Sequence, residues 1–185
     1  MKALILYWSA GGSTKKVADT IKYNLENNNV ETEIMTTDEG MDIDILSGYD
    51  LVFLGAPSYQ FIPPEPVLKY VRYNMERYQK KGLREIRSPK KKGKYGIIFC
   101  TYAGIHTGIK EGYTAGKYLA QYLEHLGFLV LDEWYVVSNF HNWDDANKKG
   151  KLGDITDRPN KNDLIIIKQN TLDILKSFNL CTNNL

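Results

Sequence analysis

Five short apolar runs, rich in β-branched and aromatic residues, recur along the chain, and stretches with helical spacing separate them. That alternation is the pattern of strand–helix–strand units closing into a parallel sheet. ALILYW (3–8) is almost wholly apolar, as a central strand covered on both faces must be. The following TKKVADTIKYNLE places Val17, Ile21 and Leu25 four apart, on one helical face, until three asparagines at 27–29 break it. VETEIMT (30–36) alternates apolar and polar side chains and reads as an edge strand with one wet face. MDIDILSGYD suits a short helix or turn, and LVFLGAP (51–57) is a third, fully apolar strand. Pro63, Pro64 and Pro66 introduce EPVLKYVRYNMERY, a helix with Val67, Val71 and Met75 on one face and proline in its first turn.

YGIIFCTY (95–102) is the fourth strand, and the spacing of Tyr118, Tyr122 and Leu126 predicts a helix from about Lys110 to His125 that stops at Gly127. FLVLDEWYVVSNF (128–140) is a fifth strand, long enough to be bent or interrupted. A polar, glycine-containing excursion follows, and NKNDLIIIKQNTLDILKSF closes the chain as a helix. The expectation is an α/β fold, a doubly wound five-stranded parallel sheet in the order 2-1-3-4-5. One domain is expected over 1–180, with a polar tail at 181–185, and a chain of 185 residues has room for one ordinary domain.

The balance of 24 basic against 22 acidic residues argues against nucleic acid as a partner. The basic run KKGLREIRSPKKKGK (80–94) reads as a solvated loop, the alternative being contact with an acidic partner or a membrane. No apolar stretch is long enough to span a membrane, and no basic-then-apolar leader opens the chain, so a cytoplasmic protein is expected. Cys100 and Cys181 lack CxxC spacing or a clustered histidine, which predicts neither metal site nor disulfide. Cys100, within an apolar run, is expected to be a buried inert thiol.

Between the first strand and the first helix lies YWSAGGSTKKVA (7–18), with six small residues in succession: Ser9, Ala10, Gly11, Gly12, Ser13 and Thr14. In a sheet of this order, ligands bind at the carboxyl ends of the strands where the order reverses, here between strands 1 and 3. A helix starting near Ser13 or Thr14 offers unpaired N–H groups and a positive dipole end, which suit a phosphate. Small side chains let the backbone curl round the anion, and the Ser9, Ser13 and Thr14 hydroxyls add donors. The plainer alternative is a Ser13 N-cap beside a tight glycine turn. The stretch is not a Walker A loop, and it is not GxGxxG, because Lys15 stands where the third glycine belongs.

Two further strand ends carry compatible residues. GAPSYQFIPPEP (55–66) offers the flat faces of Tyr59 and Phe61 and the polar atoms of Ser58 and Gln60. TYAGIHTG (101–108) offers Tyr102, and Gly104 permits close backbone approach. Aromatic surface with a few polar groups is what a flat ring with polar edges requires. His106 is a weaker candidate beside such a ring, and His125 and His141 carry no signal.

Tyr7-Trp8-Ser9-x-x-Gly12-x-Thr14-x-Lys16-x-Ala18 resembles the phosphate-binding loop of flavodoxins, Ser/Thr-x-Thr/Ser-Gly-x-Thr, except that Gly11 occupies the middle Thr/Ser position. The resemblance implies FMN as cofactor, with its phosphate on Ser9–Thr14. Its ring would lie among Pro57, Ser58, Tyr59, Gln60 and Phe61 after strand 3 and Thr101, Tyr102, Ala103, Gly104 and His106 after strand 4. The cofactor would carry the chemistry, passing electrons between redox partner proteins.

The sequence departs from that family in three further ways. Many flavodoxins flip a peptide beside the ring, often at a glycine, yet none lies between Ala56 and Pro66; a non-glycine residue at positive φ costs about 1 kcal/mol or more, which favours two-electron chemistry. Electron-carrier flavodoxins are strongly acidic, whereas this chain has a net charge of +2, so its partner surface or its task differs. The segment 139–159 exceeds a minimal flavodoxin and reads as a lid, a contact with a second copy, or a loop, with Trp143 favouring a contact. Two alternatives accompany the carrier. One is an FMN-dependent NAD(P)H or quinone reductase with substrate near Tyr59, Tyr102 and His106; the other is a flavin-free interaction domain of the same fold.

Overall fold

An apolar run with branched side chains on both faces is stable as a strand only if helices cover both faces, and that requirement organises the molecule. The computed structural model describes residues 1–182, with side chains to Phe178. The sheet contains β1 (Lys2–Tyr7), β2 (Glu31–Thr36), β3 (Leu51–Pro57), β4 (Tyr95–Tyr102) and β5 (Leu129–Val137). All pair in parallel, in the order β2-β1-β3-β4-β5. The helices are α1 (Ser13–Glu26), α2 (Ile45–Gly48), α3 (Glu65–Lys80), α4 (Lys110–His125), α5 (Asp144–Lys149) and α6 (Lys161–Thr182). No helix among the described residues is long and apolar enough to cross a membrane. Residues 183–185 of the expected tail, and the Cys181 side chain, lie outside the described residues.

Alternate residues of each strand feed two apolar layers. Leu4, Leu6, Val52, Leu54 and Ile98 pack with α3 and α4, through Val67, Tyr70, Val71, Leu119 and Leu123. Ala3, Ile5, Leu51, Phe53, Ile97 and Phe99 pack on the other face with Val17, Ile21 and Leu25 of α1 and Ile167 and Leu175 of α6. Gly55 shows how tight that second layer is, since a Cβ there would sit 2.1 Å from the Phe99 ring. β2 has no fully buried residue, as its alternating pattern predicts for an edge.

β5 is the other edge, and it is interrupted as its length suggested. Its register with β4 jumps between Gly96↔Val130 and Ile97↔Asp132, leaving Leu131 unpaired in a bulge, and the strand ends at Val137. The Asp132 carboxylate accepts the Trp134 indole N–H at 2.8 Å across that kink. A charged bulge at an edge discourages pairing with another chain. The basic loop before β4 is partly tied down: Lys94 Nζ donates to the Tyr49 carbonyl at 2.6 Å and Lys90 Nζ to that of Phe128 at 3.0 Å.

Parallel strands place all their carboxyl ends at one edge of the sheet. The segments leaving β1, β3, β4 and β5 therefore meet there.

Candidate ligand-binding cleft

A cleft of about 260 Å³ opens at that edge, and it draws its walls from four chain segments. From the turn after β1 come Ser9, Ala10, Gly11, Ser13 and Thr14; from β3 and its exit come Pro57, Ser58 and Tyr59; from the end of β4 come Thr101, Tyr102 and Ala103. The fourth wall is Ser138, Asn139, Phe140 and His141, directly after β5.

The first turn is built around Gly12, which takes φ 87° and precedes α1 as its N-cap without a side-chain cap. Its carbonyl accepts the Lys16 N–H at 2.9 Å. The Ser9 hydroxyl accepts the amides of Gly12 at 3.1 Å and Lys15 at 3.3 Å. A hydroxyl has two acceptor sites and one proton, so that proton stays free for the cleft. Ser13 is the first helical residue and not the N-cap, and its hydroxyl donates across the cleft to Asn139 Oδ1 at 3.3 Å. Among the described residues, the amides of Ala10, Gly11, Ser13 and Thr14 have no acceptor.

Thr14 and Thr101 meet at 2.8 Å, hydroxyl to hydroxyl, and each is 1% exposed. One of the two protons is consumed by that bond, leaving the other unassigned.

Five of the residues expected at the site fall outside the lining: Gly12, Gln60, Phe61, Gly104 and His106. Gly12 serves the turn through its backbone. Gln60 and Phe61 form a two-residue reversal, at φ 49° and 73°, closed by Tyr59 N–H to Ile62 O at 2.9 Å and Ile62 N–H to Tyr59 O at 3.2 Å. The loop without glycine thus already holds two residues at positive φ. The turn turns the Phe61 ring out to solvent. Gly104 does allow a close approach, but by Leu152, whose Cδ1 would lie 2.8 Å from a Cβ there. His106 is exposed, and the loop around it folds back onto α4, where Glu111 Oε1 accepts the amides of His106 at 2.7 Å and Thr107 at 2.6 Å.

No Asp, Glu, Lys or Arg lines the cleft. Lys15 instead pairs with Asp19 at 2.7 Å, one turn along α1, and Lys16 borders a separate groove between α1 and α6. Burial pushes the phenols of Tyr59 and Tyr102 up, so both are neutral at physiological pH; for Tyr102 the nearby Arg158 partly offsets the effect. Tyr59 is 42% exposed at the rim, edge-on to Trp8 at 6.0 Å, whereas Tyr102 is only 5% exposed and packs towards α4. Among the described residues no group of side chains has metal-binding spacing.

Residues 4–84 match the flavodoxin domain family model. The fold agrees over almost the whole chain. A flavodoxin from the domain Archaea aligns with a TM-score of 0.59 at 20% identity, over 96% of this chain and 98% of its own. Oxidised flavodoxin 1 from Bacillus cereus aligns with a TM-score of 0.67 at 19% identity, over 95% and 98%. The fold is flavodoxin-like. Rubredoxin oxygen:oxidoreductase from Desulfovibrio gigas also aligns, with a TM-score of 0.61 at 18% identity, over 97% of this chain but 36% of its own. No curated protein sequence matches the chain.

In this flavodoxin-like fold the segment after β5 is what sequence reasoning missed. Ser138 through His141 follow a parallel strand out of the sheet, so they emerge at the same edge as the other three turns. That rule applied to the fifth strand end was the available signal. Beyond them, residues 139–159 fold onto the body of the domain. Asn147, 3% exposed, accepts the Phe140 amide at 2.6 Å and donates to its carbonyl at 2.9 Å. Leu152 covers Gly104, and Lys151 N–H donates to the Ile105 carbonyl at 2.8 Å. Arg158 pairs with Asp163 at the start of α6.

Proposed function

We propose that this protein binds FMN and carries electrons between redox partner proteins. The reading rests on one observation: unpartnered amides of Ala10, Gly11, Ser13 and Thr14 gather at the start of a 14-residue helix, in the same cleft as an exposed tyrosine. The dipole end of such a helix and its free N–H groups attract a dianionic phosphate, and no carboxylate lines the cleft to repel one. The free proton of the Ser9 hydroxyl adds a donor. Tyr59 would supply the flat surface against which the ring stacks, while Tyr102, Pro57 and Ala103 would form the floor and exclude water. Bound FMN supplies one- or two-electron transfer, and the protein governs its orientation and exposure.

A second reading, an FMN-dependent reductase of a small aromatic or quinone substrate, has its own support. Tyr59 and Phe140 line the cleft with exposed rings, and Phe140 packs edge-on against the exposed Trp143 at 5.6 Å, apolar surface suited to a flat molecule.

The test is the visible spectrum of the purified protein, titration of the cofactor-free form with FMN, and stopped-flow mixing with NAD(P)H. A yellow protein that NAD(P)H leaves oxidised supports the carrier, and rapid direct bleaching replaces it with the reductase. A colourless protein that FMN cannot reconstitute refutes both.

A further inference from the structure

Against the flavodoxin loop pattern, this chain lacks one hydroxyl, at Gly11. The fold brings a different polar group to that point. A Cβ built on Gly11 would sit 3.1 Å from His141 Nδ1 and 3.3 Å from His141 Cε1, so the imidazole packs against the bare glycine backbone. Gly11 is not at positive φ, so its backbone does not demand glycine; a side chain there would instead crowd the His141 ring, which would have to shift.

The segment carrying His141 is held on both sides. Asn139 is tied to the first residue of α1 through the Ser13 hydroxyl, and the Phe140 backbone is clamped by Asn147. Phe140 also packs edge-on against Trp143 at 5.6 Å. His141 is the one nitrogenous side chain besides Asn139 in the cleft lining, since Lys15 is paired with Asp19 and Lys16 borders the groove between α1 and α6.

We infer that His141 is a phosphate-binding residue, its ring N–H replacing the donor missing at position 11. It selects ligands that end in a phosphate over those that lack one. This rests on the reading of the cleft as an FMN site. The glycine and the histidine, 130 positions apart, form one unit: the bare glycine lets the imidazole sit against the loop, and a side chain at 11 would crowd it.

The experiment is fluorescence titration of the cofactor-free protein with FMN and with riboflavin, which has the same ring and no phosphate. It is run on the unaltered chain, His141→Ala, Gly11→Ser and the double variant, each checked by thermal melting for an intact fold. His141→Ala should weaken FMN about tenfold and leave riboflavin within about twofold, as expected for loss of one hydrogen bond to a charged group. Gly11→Ser should weaken FMN in the unaltered background, because the new Cβ crowds the imidazole. In the His141→Ala background the same serine should restore FMN affinity. Equal losses for FMN and riboflavin, no loss at all, or a serine that harms both backgrounds alike overturns the inference while the FMN reading stands. Failure of the unaltered chain to bind FMN overturns both.

Discussion

The Thr14–Thr101 contact joins the first turn of α1 to the end of β4, and the cost of removing it should depend on whether one hydroxyl goes or both. The two hydroxyls lie 2.8 Å apart and each residue is 1% exposed, so water cannot replace a lost partner. Thr14→Val or Thr101→Val keeps the shape and strands one buried hydroxyl. The expected destabilisation is about 1–3 kcal/mol for either single variant, the desolvation cost of an unsatisfied polar group. In the double variant neither hydroxyl remains, two methyl groups are buried instead, and the loss should shrink to less than about 1 kcal/mol. The coupling between the two sites, the summed single losses less the double one, is then at least about 1 kcal/mol, well above the few tenths expected of independent positions. Urea unfolding of the cofactor-free protein measures it: both single variants should lower the midpoint, at unchanged slope, and the double variant should recover most of the difference. Additive losses would refute the argument that these hydroxyls satisfy only one another.

Three further outcomes follow from the geometry. Asn147→Ala leaves the Phe140 amide and carbonyl without their buried partner, and should cost about 1–2 kcal/mol by denaturation and also weaken FMN binding, because Phe140 and His141 line the cleft. Burial pushes the Cys100 thiol up to about 12, from the 9.0 of a free thiol, so it should resist iodoacetamide at pH 8 in peptide mapping. The unfolded thiol ionises above that lower value while the folded one stays protonated; stability should therefore fall as pH rises from 9 to 10, and Cys100→Ala should flatten the fall. The Tyr70 and Tyr122 hydroxyls are both buried and, among the described residues, face no polar partner but each other, too loosely placed for a well-formed bond; Tyr122→Phe should therefore change stability by less than about 1 kcal/mol in the same urea assay, and a larger loss would mean that the two hydroxyls do bond.

The periodicities by themselves determined the architecture. Strand and helix patterns are local, and runs such as LVFLGAP can be buried on both faces only in a covered parallel sheet, so β3 emerged as 51–57 and α4 as Lys110–His125 with no knowledge of the rest. The small-residue turn after β1 was legible for the same reason, since a strand followed at once by a helix leaves its amides at the sheet edge. What only the tertiary structure decided was which side chains meet there. Gln60 and Phe61 turn away because two hydrogen bonds between Tyr59 and Ile62 set their backbone, and Gly104 is covered by Leu152 from nearly fifty residues further on. His141 reaches Gly11 because Asn147 and Ser13 anchor the loop between them. Such pairings depend on the paths of long loops over a finished core, and no spacing in the chain encodes a path that exists only once the core has formed.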